Sequence, residues 1–376
     1  MREHFLLDPS VNFLNHGSFG ACPADVFAVY QRWQRELEFQ PVEFIGRRLE
    51  GLLREAMAPL ARYINAPHDA CVFVSNATAG VNVVARSLKL QPGDEVLATD
   101  HEYGACSFTW THVCNQAGAS YILQPISVPI LSEDAFIKEF WAGVTPRTKV
   151  IFISHITSAT GLIFPIARLI QRARAAGILT VIDGAHVPSH IPLDLTALDP
   201  DFYTGNFHKW MCAPKSSAFL YARPDKQHLL TPLTISWGYG DPAFTVQHER
   251  QPTRDPSAYL ATPDALAWLQ AHDWDTHAAR CHEMILQARE RISQIGGQAP
   301  LAPPDWYGQM VACPLPPCDV AAVKTLLYDK YRIEIPVFLW NNMPIIRISV
   351  QAYNTQADLD AFYSALGEVL KIAAIP

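Results

Sequence analysis

Val181-Ile182-Asp183-Gly184-Ala185-His186 is followed, one strand–helix–strand step later, by Asp201-Phe202-Tyr203-Thr204-Gly205-Asn206-Phe207-His208-Lys209-Trp210. Each block opens as a short run of apolar, β-branched or aromatic residues, the pattern of a buried strand, and closes on polar side chains. A strand ending in Asp-Gly sets its carboxylate at the carboxyl edge of a sheet, where open α/β sheets bind their ligands. The second block brings a lysine, flanked by His208 and Trp210, to the end of a following strand.

Outward from these blocks the pattern repeats. Candidate strands lie at 71–75, 95–99, 121–124, 149–154, 179–183, 201–204 and 218–221, and most are nearly continuous apolar runs, as expected where helices cover both faces of a sheet. Helical stretches at 78–90, 104–117, 133–141 and 166–176 separate them. That alternation predicts a mostly parallel α/β sheet of seven strands. An arm (1–22) and helical sequence rich in Arg and Glu (24–64) come before it. Beyond Thr262 a long helical stretch (263–295) leads into a proline-rich passage (300–317), a helix (320–331), a strand near 345–350 and a closing helix (355–371). The chain therefore divides into an arm (1–22), a large α/β domain (23–262) and a smaller α+β domain (263–376) on which the N-terminal segment is able to pack.

The 376 residues are 49% hydrophobic and 17% charged, the make-up of a well-packed globular enzyme. A formal charge of −7 without a basic stripe argues against nucleic acid. No apolar run reaches the length of a membrane span, and the start Met1-Arg2-Glu3-His4-Phe5 lacks the apolar core of a signal peptide, so a cytoplasmic protein is expected. Eight cysteines form no CxxC pair and read as small buried hydrophobes. Fourteen histidines include no HExxH and no tight His/Cys cluster, so no metal is expected.

An aspartate and a lysine brought together at one sheet edge suit pyridoxal phosphate. An anion beside the pyridine nitrogen keeps it protonated, so that the ring accepts electrons from a substrate carbanion, while a lysine amine forms the Schiff base and then carries protons. Of nine lysines, Lys209 fits this place, with Lys215 in Ala213-Pro214-Lys215-Ser216 its nearest competitor. Taken singly, Asp183 reads as a turn or cap residue and Lys209 as a solvated side chain; taken in this order they read as a pair. Phosphate needs backbone amides and hydroxyls where a strand opens into a helix, and Ser75-Asn76-Ala77-Thr78-Ala79-Gly80 offers them, although Asn76 or Thr78 could equally cap the helix. In Asp100-His101-Glu102-Tyr103-Gly104-Ala105 either Tyr103 or His101 could stack on a flat ring, and Tyr103 is the choice made here.

Together these blocks resemble the class V aminotransferase group of fold-type I pyridoxal-phosphate enzymes, and within it the isopenicillin N epimerase-like branch. The resemblance runs from Leu14-Asn15-His16-Gly17-Ser18-Phe19-Gly20 through the motifs above, Ser154-His155-Ile156-Thr157-Ser158 and Thr253-Arg254-Asp255-Pro256-Ser257-Ala258-Tyr259 to Arg347-Ile348-Ser349. It implies that Lys209 holds the cofactor, that Asp183 pairs with the pyridinium nitrogen, that His186 lies near the phenolic oxygen and that Tyr103 stacks on the ring. Thr78 and His208, with Asn76, Ala77 and the backbone of Ala79, would bind the phosphate. Thr253 matches a residue that in relatives reaches the phosphate from the neighbouring subunit, which implies a homodimer. Ser158 stands where relatives often carry an asparagine near the cofactor oxygen and the substrate.

Arg347 lies in an apolar segment, Pro344-Ile345-Ile346-Arg347-Ile348-Ser349. A buried guanidinium has an anionic partner, either an internal Asp or Glu or the α-carboxylate of a substrate, which its planar fork suits. The resemblance favours the second. Arg47, beside Arg48 upstream of the sheet, is a candidate for a distal carboxylate, with a helix-surface charge as the alternative. Asn15 and His16 in the arm are candidate pocket residues, whereas Gly17 and Gly20 are explained by a turn alone.

Fold does not fix the reaction. A cysteine desulfurase carries a mobile cysteine in the loop before the C-terminal arginine, and residues 335–344 contain none, while Cys313 and Cys318 lie upstream. Three readings stay open, all carbanion chemistry on an amino acid. The first is an epimerase, which needs a second acid, with His16, Tyr103 or a water as candidates. The second is a C–S lyase acting on a cysteine conjugate or sulfoxide, for which Lys209 suffices as base. The third is an aminotransferase. An inactive binding protein is the non-enzyme alternative, against which the presence of both Lys209 and Asp183 speaks. Trp237, Trp340 and Phe338 are candidates for an aromatic pocket wall or for plain core packing.

Overall fold

A computed structural model describes residues 1–375. Strand β1 (Asn12–Phe13) lies in the arm, and the large sheet is built from β2 (Cys71–Val74), β3 (Glu95–Thr99), β4 (Ser120–Gln124), β5 (Thr148–Ser154), β6 (Leu179–Asp183), β7 (Phe202–Asn206) and β8 (Ala218–Ala222). Their order across the sheet is β2-β8-β7-β6-β5-β3-β4. Only β8 runs against its neighbours. The sequence-derived strands are therefore all present, with ends displaced by a residue or two. Strands β3, β7 and β8 are buried along their whole length, because helices pack on both faces and split the core into two apolar clusters. Edge strand β4 is half exposed, and its Tyr121 and Ile122 give it only a partly covered face.

Parallel pairing brings the carboxyl ends of β3, β5, β6 and β7 to one edge. Register sets Ser154 opposite Asp183, and Asp183 opposite Thr204. Two helices begin at this edge: Ala77–Ser87, whose N-cap Asn76 accepts from the Ala79 amide, and Gly104–Ala117, with Tyr103 as its N-cap.

Four further strands follow: β9 (Met310–Pro314), β10 (Ile333–Glu334), β11 (Val337–Trp340) and β12 (Met343–Ser349). Three of them form an antiparallel sheet in the order β11-β12-β9. Strand β10 instead pairs in parallel with β1, and Asn15 bridges to Ser349, so the arm is stitched to the C-terminal layer. The proline-rich passage thus contains a strand, β9. The helical stretch expected at 263–295 is two helices, Thr262–Ala271 and Trp274–Gly296. They part at Asp273, which takes a left-handed φ of 47°, and Trp268 packs edge-on against Trp274 across the break. Among the described residues no helix is long and apolar enough to cross a membrane. All eight cysteines are free, seven of them buried.

Candidate active site

The loop joining β7 to β8 closes on itself. Both the Phe207 and His208 amides donate to the Ser217 carbonyl, and the Ala213 amide donates back to Phe207. Lys209 sits at the tip of that loop. The arm lies directly on it: Gly20 adopts a φ of +69°, and a Cβ there would overlap the His208 carbonyl. Glycine is required on both counts. The Lys209 Nζ points inward and lies 3.1 Å from His186 Nε2. Burial, reinforced by the Arg347 charge, pulls the Lys209 amine down to about 7. A neutral, nucleophilic amine is therefore within reach at ordinary pH.

Asp183, at the end of β6, is buried and accepts from the Ala185 amide at 2.9 Å. The Cys106 thiol lies 3.6 Å from its other oxygen. Burial raises its carboxyl pKa, opposed by the Ala185 amide and the Lys209 charge. An isolated carboxylate in such surroundings is costly, and a cation brought against it would relieve that cost.

These groups face a cavity of about 650 Å³ at the sheet edge, lined by Tyr103, Ser158, Asp183, His186, His208 and Lys209 among others. Asn76, Ala77 and Thr78 close one end of it, together with Ser75, Asn206, Lys215 and Ser216. His208 Nδ1 is 3.0 Å from the Ser217 carbonyl, so that nitrogen carries the proton and Nε2 is left over. The Ala77 amide is taken by Asn206 Oδ1 and the Ala79 amide by Asn76 Oδ1, each at 2.8 Å. Ala79 does not line the cavity, so its expected contribution to phosphate binding is not supported by this geometry. Asn76 both caps the helix and faces the cavity.

A smaller compartment of about 340 Å³ adjoins the first and shares Ser18, Phe19, Tyr103, Ser158 and Lys209 with it, adding Glu102, Phe338 and Arg347. Arg347 is buried, yet among the described residues no carboxylate pairs with it. It donates to the Ser158 carbonyl, to Ser158 Oγ at 3.3 Å and to Ser18 Oγ at 2.9 Å, while its Nε has no partner. The internal salt bridge weighed as an alternative is absent among the described residues. Burial draws the guanidinium down to about 10. Glu102 accepts from Thr99 Oγ1 (2.6 Å) and from the amide (2.9 Å) and hydroxyl (2.5 Å) of Ser154, and burial raises its carboxyl to about 7.

Several expected pocket residues lie elsewhere. His16 is fully buried with both ring nitrogens engaged, Nδ1 with the Tyr353 hydroxyl at 2.9 Å and Nε2 with the Lys209 carbonyl at 3.0 Å. It braces the lysine loop from behind and is no candidate for a second acid. Asn15 turns away to donate to Glu334 and to accept from Ser18. Arg47 stands on a π-helical turn, Phe44–Arg48, and lines a separate cavity with Glu50 and Glu249. Its neighbour Arg48 pairs with Glu36. Thr253 is exposed and lines none of the cavity of its own chain. Trp237 is 91% exposed rather than part of a pocket wall, whereas Phe338 does line the smaller compartment. His101 is buried against Trp340 and bonded to Thr160, so that of the two candidates Tyr103 lines the cavity.

Asp183, Lys209, His186 and Tyr103 around one cavity, with hydroxyls at one end and a guanidinium without a carboxylate partner in the adjoining compartment, fit a flat phosphorylated pyridine and an amino acid beside it. The fit rests on an unneutralised buried carboxylate and an unpaired buried arginine.

The family model described as "Aminotransferase class-V" matches residues 40–362. The isopenicillin N epimerase of Amycolatopsis lactamdurans is 35% identical, over 98% of this chain and 98% of its own. A probable chloroplastic L-cysteine desulfhydrase of Arabidopsis thaliana is 29% identical, over 97% of this chain and 84% of its own. The solved structure of a C-DES variant with glycine covalently linked to the PLP cofactor superposes with a TM-score of 0.83 over 98% of this chain and 99% of its own, at 19% identity, a likeness of fold.

Proposed function

The chain belongs to the class-V aminotransferase family and is a pyridoxal-phosphate enzyme, and from that premise we propose that it epimerises the α-carbon of an amino acid. When bound, pyridoxal phosphate supplies an electron sink for the electron pair left at the α-carbon. Within that reading Lys209 anchors the cofactor, and Asp183 holds the pyridine nitrogen protonated. His186 would hold the phenolic oxygen, and Tyr103 would cover one ring face. The hydroxyl of Thr78, with Asn76 and His208, would receive the phosphate, while Ala77, its amide held by Asn206, lines that end with Ser75, Lys215 and Ser216. Ser158 steadies Arg347 and faces the substrate.

The observation that carries the reading is the unpaired, buried guanidinium of Arg347 in the same compartment as the Lys209 amine. A substrate carboxylate gripped by that fork has its α-carbon held beside Lys209, where the amine takes up the α-proton. Epimerisation further requires a proton delivered to the opposite face. Glu102, which lines the smaller compartment and whose carboxyl burial raises to about 7, is the residue we assign as that acid.

A C–S lyase is the second reading, favoured by the similarity to a cysteine desulfhydrase and by the sufficiency of Lys209 as its only base. An aminotransferase gains no particular support from this pocket. Incubation with a panel of L-amino acids and cysteine conjugates in deuterated water separates the readings. Epimerisation gives the D-isomer with deuterium at the α-carbon and no keto acid; elimination gives keto acid and ammonia.

The homodimer belongs to the same proposal. Thr253 is exposed and stands apart from the cavity of its own chain, and the nearby 231–243 coil exposes Leu233, Ile235, Trp237 and Tyr239, apolar surface that a second copy would cover. Light scattering on the purified protein should give twice the chain mass of 41.9 kDa. Eight unpaired cysteines suit a reducing compartment, which supports a cytoplasmic location.

A further inference from the structure

Trp210 follows the cofactor lysine and is fully buried. Its indole Nε1–H donates to His186 Nδ1 at 3.2 Å. An indole nitrogen donates and never accepts, so the shared proton belongs to the tryptophan. The neutral His186 ring must then carry its own proton on Nε2, the nitrogen 3.1 Å from Lys209 Nζ. Burial, then the Lys209 and Arg347 charges, keep that ring neutral.

Trp210 is itself held in place. Its ring stacks on His190, with centroids 3.9 Å apart and planes 28° apart. His190 Nδ1–H donates to the His186 carbonyl at 2.9 Å, and its Nε2 accepts from the Gln309 amide at 2.6 Å. Gly308 makes this approach possible, because a Cβ there would overlap the His190 ring. The chain entering β9 thus holds His190, His190 holds Trp210, and Trp210 orients His186.

We propose that Trp210 is a positioning residue that fixes the tautomer of His186, so that His186 presents Nε2–H as a hydrogen-bond donor to the phenolic oxygen of the cofactor. The proposal rests on the pyridoxal reading above. A donor at that oxygen stabilises its negative charge and so weakens proton binding at the neighbouring lysine–cofactor nitrogen. Without the indole N–H, His186 is free to move its proton to Nδ1, and the oxygen loses its donor. The titratable and charged groups around His186 include Lys209, Arg347, His190 and His16, with Asp183 and His208 lining the same cavity, and none of them changes in the variants that follow.

The test is a pH titration of the visible absorbance of the cofactor-loaded protein. Trp210→Phe keeps a ring against His190 but removes the N–H. Its titration midpoint should rise by about one pH unit, the size expected for one hydrogen bond to a charged oxygen. In a His186→Gln background, where no tautomer exists, the same change should shift nothing further. A midpoint that stays put in Trp210→Phe, or a shift that persists in the glutamine background, overturns the proposal. A wild-type protein without any visible band overturns the cofactor reading and the proposal together. Should Trp210→Phe not fold, imidazole ¹⁵N spectra of the wild type decide: an unprotonated Nδ1 and protonated Nε2 at His186 support the proposal, and the reverse pattern overturns it.

Discussion

Arg347→Met separates the chemistry of the site from its stability. The guanidinium has no carboxylate partner among the described residues, so without a substrate carboxylate it bears the cost of a buried charge with only neutral hydrogen bonds to offset it. Methionine has a similar reach and no charge. Its introduction should leave the unfolding free energy unchanged or slightly higher and should spare the cofactor. Substrate binding is another matter. Two charge-assisted hydrogen bonds to a carboxylate contribute about 1.5–3 kcal/mol each. Their loss amounts to about 3–6 kcal/mol, or about 10²- to 10⁴-fold in kcat/KM. The assay compares an active amino acid with the amine that lacks its carboxylate. Wild type should strongly prefer the acid, and Arg347→Met should treat the two nearly alike. A loss below about tenfold, or an equal loss on acid and amine, would refute the assignment of Arg347 as the carboxylate clamp.

Two further outcomes follow from the buried titratable groups. In cofactor-free protein Lys209 should react with an amine-selective reagent with a midpoint near the about 7 set by its burial, and a midpoint above about 9 contradicts that environment. Because the folded value lies below the ordinary 10.5, the unfolded chain binds more protons between those two limits, so the apoprotein should lose stability as pH falls through that window and lose no more on this account below it. Glu102→Gln should abolish formation of the D-isomer while leaving α-proton exchange from the L-isomer within about tenfold, read by deuterium incorporation; equal loss of both would remove Glu102 from the role of second acid.

Much of this architecture was legible in the sequence, and the reason is local. Strands buried on both faces must be continuous apolar runs, so Asp183 and Lys209 announce themselves as polar residues at strand ends. Tyr103 and the segment Asn76–Thr78 are found the same way, in the polar stretches that follow β3 and β2. What sequence could not show is which way a side chain turns once distant segments meet. Asn15 and His16 sit beside Ser18, yet the contact of His16 with Tyr353 and the bond of Asn15 to Glu334 turn them from the cavity and leave Ser18 to face it. Arg47, open in sequence between a distal-carboxylate contact and a helix-surface charge, stands on a π-helical turn beside a separate cavity. The Ala79 amide is taken by the Asn76 side chain, a contact that only the fold reveals. Glu102 lay unread between two ring side chains; only the approach of β5 to the end of β3 shows that Thr99 and Ser154 hold it. The break at Asp273 carries no proline or glycine to mark it.

The most direct test of the central claim is borohydride reduction of the purified protein incubated with pyridoxal phosphate, followed by peptide mapping. A visible band that disappears on reduction, with the cofactor mass on the peptide containing Lys209 and absent from Lys209→Ala, is the expected result. A reducible adduct on Lys215, or one that survives in Lys209→Ala, would contradict it.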